Sequence, residues 1–113
     1  MSYPNTQLFI DGIWRPAQDG RSLPVLNPAT GAEIGRVAHA GLADLDQALA
    51  AADRAFAEWR RSSPLHRSDL MRKAAALLRE RAEPIAALMV AEQGKPLAQA
   101  RTETLAGAEI IEW

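Results

Sequence analysis

The spacing of apolar residues changes at Gly41, and that change constrains the fold more than any other feature of the chain. Downstream of it, Leu42, Leu45, Leu49, Ala52, Phe56 and Trp59 follow one another at intervals of 3, 4, 3, 4 and 3 residues. Such intervals put side chains on one stripe of an α-helix, which turns every 3.6 residues. The spacing predicts a helix from about Gly41 to Trp59. Ser62-Ser63-Pro64 interrupts the pattern, and Leu70, Ala74, Leu77, Leu78, Ile85, Leu88 and Met89 continue it as a second apolar face. Pro84 falls inside that run and predicts a split or kink, because proline lacks an amide hydrogen and crowds the turn before it. A further helix is expected from about Pro96 to the end.

Upstream of Gly41, short apolar runs alternate with turn signals. Leu8-Phe9-Ile10 and Ile13-Trp14 flank Asp11-Gly12, a two-residue hairpin connection in which glycine accepts the positive φ of a type I′ turn. Gln18-Asp19-Gly20 marks a second turn. Leu23 to Leu26 reads as a strand containing Pro24, which confines it to a sheet edge or a late start, since proline cannot donate to a ladder. Asn27-Pro28-Ala29-Thr30-Gly31 is a turn, and Glu33 to Ala38 another strand. The expected fold class is α+β: a β-hairpin or meander over residues 7–38, then three to four helices over residues 41–113. Strands this short make a poor sheet without partners. The last helix closes on Ala108-Glu109-Ile110-Ile111-Glu112-Trp113 with no Gly, Asn or Pro behind it to end it. Both features predict a longer chain, whose missing part covers these strands and helices.

The composition admits a core and excludes several chemistries. Apolar residues make up 48% of 113 residues, and a chain of that length buries roughly 65% of its unfolded surface. The absence of cysteine removes disulfides, thiolate metal sites and thiol nucleophiles. A net charge of -1 gives no global field for nucleic acid or an acidic membrane. The N-terminal stretch MSYPNTQ has neither a basic nor an apolar region of a secretory signal, and no apolar run reaches the roughly 18 residues that span a bilayer. A soluble, cytoplasmic protein is expected.

Gly94-Lys95 invites a phosphate-loop reading and fails it. Leu88 and Met89 stand where the upstream glycine belongs, Pro96 replaces the hydroxyl residue that would reach Mg²⁺, and no strand leads in. The same residues make a helix joint: Gly94 as a left-handed cap, Pro96 at the start of the next helix, Lys95 held out of helical conformation and near the preceding carbonyl end. His39 and His66 lack metal-pair spacing. Ser62 and Ser63 read as helix caps, and Glu92 and Glu103 have no fixed mutual geometry. The basic stretch from Arg60 to Arg81 shares its segment with an apolar face and carries no interleaved aromatics, so it reads as a solvated helix face and predicts no nucleic-acid partner.

Taken in order, LFIDGIW, VLNPATGAEIGRV, ALAAADRAFAEWR, RSDLMRKAAALLRER and EQGKPLAQARTE resemble the N-terminal segment of the aldehyde dehydrogenase superfamily. EQGKPLAQA with Glu103 and the closing IIEW is most similar to its succinate-semialdehyde dehydrogenase branch. The resemblance implies the edge of the cofactor-binding domain of a longer α/β enzyme. In that family a cysteine thiolate attacks the aldehyde, hydride passes to NAD or NADP, and a glutamate activates the water that hydrolyses the acyl thioester. No position here matches the catalytic cysteine, the glutamate or the nucleotide-binding glycines, so no catalytic and no cofactor-binding residue is assigned. The chain alone is expected to bind no cofactor and to be inactive. The partners implied are the remainder of the enzyme chain and, for the complete enzyme, further copies of it; no membrane partner is implied. Some members hold a monovalent cation, which by resemblance would involve the backbone oxygens of Val25 and Leu26 and the carboxylate of Glu103. The plainer alternative for Glu103 is a helix-surface charge. A functional alternative for the whole chain is a small helical interaction module without catalysis, docking through Ile110, Ile111 and Trp113.

Overall fold

The computed structural model describes residues 3–113; Met1 and Ser2, which open the stretch read above for a targeting signal, lie outside the described residues. The chain divides into two compact units: Met1–Leu26 with Ala32–Arg61, and Asn27–Gly31 with Ser62–Trp113.

The first unit begins with β1 (Leu8–Ile10) and β2 (Ile13–Arg15), paired antiparallel with Phe9 opposite Trp14. Asp11 and Gly12 connect them at φ 55° and 77°, two successive positive values that define a type I′ turn and match the strand twist. The Phe9 and Trp14 rings lie 4.9 Å apart and tilted by 41°, a contact that stabilises by about 0.5–1.5 kcal/mol. A turn follows, closed by the Gly20 amide donating to the Ala17 carbonyl at 2.9 Å. β3 (Ser22–Leu26) and β4 (Glu33–Ala38) form a second antiparallel pair, with a register shift between Val25 and Leu26. Thr6 bridges to Val37 on the far side of β4, so β3, with Pro24 in it, is left at the edge, where its missing amide hydrogen breaks no ladder. The strands are therefore two separate hairpins and not one meander. Pro16 and the tight turn after it interrupt the ladder between β2 and β3. Helix α1 (Leu42–Trp59) completes the unit and spans the predicted residues.

The second unit holds α2 (Pro64–Glu80), α3 (Ala82–Gln93) and α4 (Leu97–Glu112). Ser63 caps α2, its hydroxyl accepting the His66 amide at 3.1 Å, with Pro64 at the first helical position. Pro84 does split the second apolar run, but the break falls three residues earlier, at Arg81 (φ -99°, ψ 14°). In an unbroken helix Pro84 would have to donate to Glu80 and its ring would strike that carbonyl. Restarting at Ala82 puts Pro84 in the first turn, where amide hydrogens have no helical partner. Helix α4 packs on α2 and α3.

What is buried is small. Among the described residues the buried apolar side chains are all alanines: Ala17 and Ala51 in the first unit, Ala75, Ala82, Ala86, Ala100 and Ala108 in the second. Leu70 and Leu77 of the expected apolar face are exposed, while Leu78, Ile85, Leu88 and Met89 are half-buried. The three tryptophans, Trp14, Trp59 and Trp113, are 61%, 45% and 105% exposed. The chain presents 8268 Å² to solvent. Two compact units of half its 12.3 kDa mass would together present about 7,400 Å². The excess is surface that these units do not cover for themselves.

Candidate functional site

In the first unit the buried polar centre is Asp44, 1% exposed. It sits at the third position of α1, where its carboxylate accepts the Gly41 amide at 3.0 Å, a reach-back that ties down the helix start. The Gln18 amide donates to the same carboxylate at 3.2 and 3.3 Å. The Arg15 guanidinium Nη2 lies 3.3 Å from Asp44 Oδ1. Its geometry makes no hydrogen bond, so that contact is charge against charge. One side chain thus fastens the β2 end, the turn after it and α1. The pattern Gly41-Leu42-Ala43-Asp44 carries the signal, an acid three residues into a helix, but the sequence reading passed over it.

A depression of about 440 Å³ is lined by Gln18, Asp19, Arg21 and the first turn of α1. Helix starts attract phosphate through their amide hydrogens and dipole, but here Asp44 already puts a carboxylate on that end. In the same depression the Arg21 guanidinium is paired with the Asp19 carboxylate at 2.6 Å. Among the described residues no three His, Cys, Asp or Glu side chains gather in a metal-holding cluster.

In the second unit the Gly94-Lys95-Pro96 joint is structural. Gly94 caps α3 at φ 71°, its amide donating to Val90 at 2.9 Å, a left-handed geometry that glycine adopts without strain. A Cβ there would also come within 3.1 Å of Pro28 Cγ. Pro96 is the N-cap of α4 rather than its first helical residue. Lys95 pairs with the Glu103 carboxylate of α4. Val25 and Leu26 lie on β3 in the first unit, at the register shift, and Glu103 on α4 in the second. Arg101 grips Glu83 at 2.7–3.0 Å and Arg79 meets Glu112 at 2.5 Å, tying α4 to α3 and α2. The Arg101 hydrogen bonds hold the Glu83 carboxyl below the usual carboxylate range. His66 is exposed at the start of α2. The His39 backbone amide donates to the Arg21 carbonyl.

The largest chemical feature is apolar. Within the first unit Leu42, Leu45, Leu49, Phe56 and Trp59 stand exposed along α1, and Phe9, Ile13 and Trp14 along the first hairpin. Within the second, Leu97, Leu105, Ile110 and Trp113 stand exposed along α4, while Ile111 is half-buried. Covering the five large residues of the α1 stripe stabilises by on the order of 5–10 kcal/mol, comparable with the whole stability of a small domain. Contiguous apolar surface of this kind marks a face built to meet other polypeptide.

Residues 14–113 match the model of the aldehyde dehydrogenase family. The chain belongs to the aldehyde dehydrogenase family. It is 43% identical over 107 residues to the 3-sulfolactaldehyde dehydrogenase of Pseudomonas putida, covering 95% of this chain and 22% of that enzyme. It is 38% identical over 107 residues to the NADP⁺ succinate-semialdehyde dehydrogenase of Escherichia coli K12, with the same coverage of 95% and 22%. Its fold matches the crystal structure of an aldehyde dehydrogenase from Brucella melitensis biovar abortus 2308 with a TM-score of 0.93 and 39% identity, over 96% of this chain and 22% of that one. The chain therefore spans about 22% of the length of these members of the aldehyde dehydrogenase family, and its four helices and short antiparallel strands are their N-terminal architecture.

Proposed function

We propose that the chain is the N-terminal part of an NAD(P)-dependent aldehyde dehydrogenase that oxidises an aldehyde carrying a distant acid group, succinate semialdehyde in the first instance, to the corresponding acid. The apolar stripe of α1, whose large side chains its own unit leaves 45–81% exposed, carries this reading: further polypeptide lying on such a face removes it from water. The names of two similar enzymes, a 3-sulfolactaldehyde dehydrogenase and a succinate-semialdehyde dehydrogenase, support the acid group. The chain by itself is inert, since it has no cysteine to form the thiohemiacetal. Turnover of several aldehydes with NAD⁺ and NADP⁺ tests both halves. The 113-residue chain gives no rate above blank, and the reading frame extended past Trp113 gives an active enzyme that prefers acid-bearing aldehydes. Activity in the short chain, or an inactive extended one, refutes the proposal.

Val25, Leu26 and Glu103 are proposed to hold a monovalent cation in the complete enzyme, their oxygens being hard donors suited to Na⁺ or K⁺. Replacing a bulky organic cation by K⁺ then raises the thermal midpoint, and Glu103→Gln removes the rise. A midpoint indifferent to K⁺ ends the idea. The exposure of Ile110 and Trp113 favours one further reading, an interaction module without catalysis, which a stop codon after Trp113 would support.

A further inference from the structure

Two Asp-Gly dipeptides occupy turns of the first unit, Asp11-Gly12 and Asp19-Gly20. An Asp-Gly bond isomerises when the glycine nitrogen attacks the side-chain carboxyl carbon. The reaction needs a nitrogen not engaged with an acceptor and a carboxyl able to take a proton so that water can leave. It also needs a backbone free to rotate the two atoms together.

At Asp19 all three are withheld. The Gly20 amide donates to the Ala17 carbonyl at 2.9 Å. Both carboxylate oxygens are engaged, Oδ1 by the Arg21 amide at 3.0 Å and Oδ2 by Arg21 Nε at 2.6 Å. The backbone bond first, and the side-chain bond after it, hold this carboxyl below its ordinary range. The turn is also anchored, with Ala17 buried and the Gln18 amide bound to Asp44. At Asp11 the surroundings are open. The Gly12 amide makes no hydrogen bond among the described residues. The carboxylate meets the Arg54 guanidinium through Oδ2 at 3.0 Å in an exposed, water-screened pair, as the Asp19 pair with Arg21 also is. Among the described residues, however, no backbone amide holds its other oxygen as the Arg21 amide holds Oδ1 of Asp19. The turn rides on strands of three residues each, and hairpins so short open readily.

We propose that Asp11-Gly12 is a site of spontaneous isomerisation to isoaspartate, and that the tertiary structure protects the same dipeptide at Asp19-Gly20. The Gly12 nitrogen gives its proton to water and bonds to Asp11 Cγ, the carboxyl oxygen leaves as water, and a succinimide ring results. Water then adds to one of the two ring carbonyls. Opening at the side-chain carbonyl restores aspartate. Opening at the backbone carbonyl leaves the chain running through Cγ. The composition is unchanged and water is the only co-reactant. The product lengthens the backbone by one carbon inside a turn held at two positive φ values, so the Ile10–Ile13 register and the Arg54 pair are lost together.

Incubation of the chain at neutral pH and body temperature over days to weeks, followed by electron-transfer fragmentation of proteolytic peptides, reads both sites. Isoaspartate accumulates at residue 11 at least several-fold faster than at residue 19. Arg21→Ala raises the rate at 19 and leaves that at 11 unchanged, and Asp11→Glu abolishes the signal at 11. In urea the two sites react alike. Equal rates in the folded chain, no isoaspartate at 11, or a difference that persists in urea each overturns the proposal.

Discussion

Helices α1 and α4 have similar lengths, 18 and 16 residues, and bury opposite kinds of side chain relative to what their sequences display. α1 carries the broader stripe of large apolar residues and leaves each of them 45–81% exposed, burying fully only one alanine and one carboxylate. α4 buries Ala100, Thr104 and Ala108, spaced at 4 and 4 residues, and through them packs closely on two neighbours. Small residues let helix axes approach until backbones touch, and the Thr104 hydroxyl returns to the Ala100 carbonyl at 2.9 Å, so it brings no unpaired donor into the seam. Size on a helix surface is thus a poor guide to what is already packed here. The alanine seam closes within the second unit, whereas the leucine and aromatic stripe stays largely open to solvent.

Three measurements break or sharpen that contrast. The largest effect falls on the anchor of α1. Asp44→Ala strands the Gly41 and Gln18 amides and leaves the Arg15 charge unmatched, and the urea midpoint reports a loss of about 3 kcal/mol, with hydrogen exchange of the first turn of α1 rising. A loss below about 1 kcal/mol removes Asp44 as the fastening.

The next compares seam with stripe directly. Ala108→Leu forces a large side chain into a closed helix contact and destabilises by about 2 kcal/mol. Leu49→Ala takes one away from the open stripe and changes stability by no more than about 0.5 kcal/mol. The reverse order would show that the stripe is packed and the seam is not.

The smallest concerns the ties of α4. The Glu83 carboxyl is lowered by Arg101, so its share of stability is present at neutral pH and above the ordinary carboxylate pKa. That share is lost as the pH falls through the lowered value in the folded state. Both groups are exposed and screened, so the change is slight. Arg101→Gln flattens this part of the acid limb, and an unaltered limb assigns the pH dependence elsewhere.

Much of the fold is legible in the chain because local physics writes it. Asp11-Gly12 takes the two positive φ values that its hairpin demands. Ser63-Pro64 starts a helix, Gly94 stops one, and Pro84 goes with the break at Arg81. Asp44 was the element least legible. Nothing in its own neighbourhood says that an amide 26 residues away will seek it, and a carboxylate in a first helical turn usually looks like a surface charge. The destination of Lys95 was equally hidden. Its sequence neighbour is the carbonyl end of α3, but the next helix brings Glu103 within reach of its ammonium group, and a full opposite charge outcompetes a helix end.

By itself the sequence determined which strands and helices form, to within a few residues at their ends, and to which family the chain belongs, since both rest on short-range patterns: turn residues, caps and periodic spacing. Only the tertiary structure decided which face of each helix is already spent. Burial depends on what lies opposite, and two alanines meeting across a close approach are invisible until the partners are placed. The same dependence separates the two Asp-Gly turns, alike as dipeptides and unlike once Asp44, Arg21 and Ala17 surround one of them.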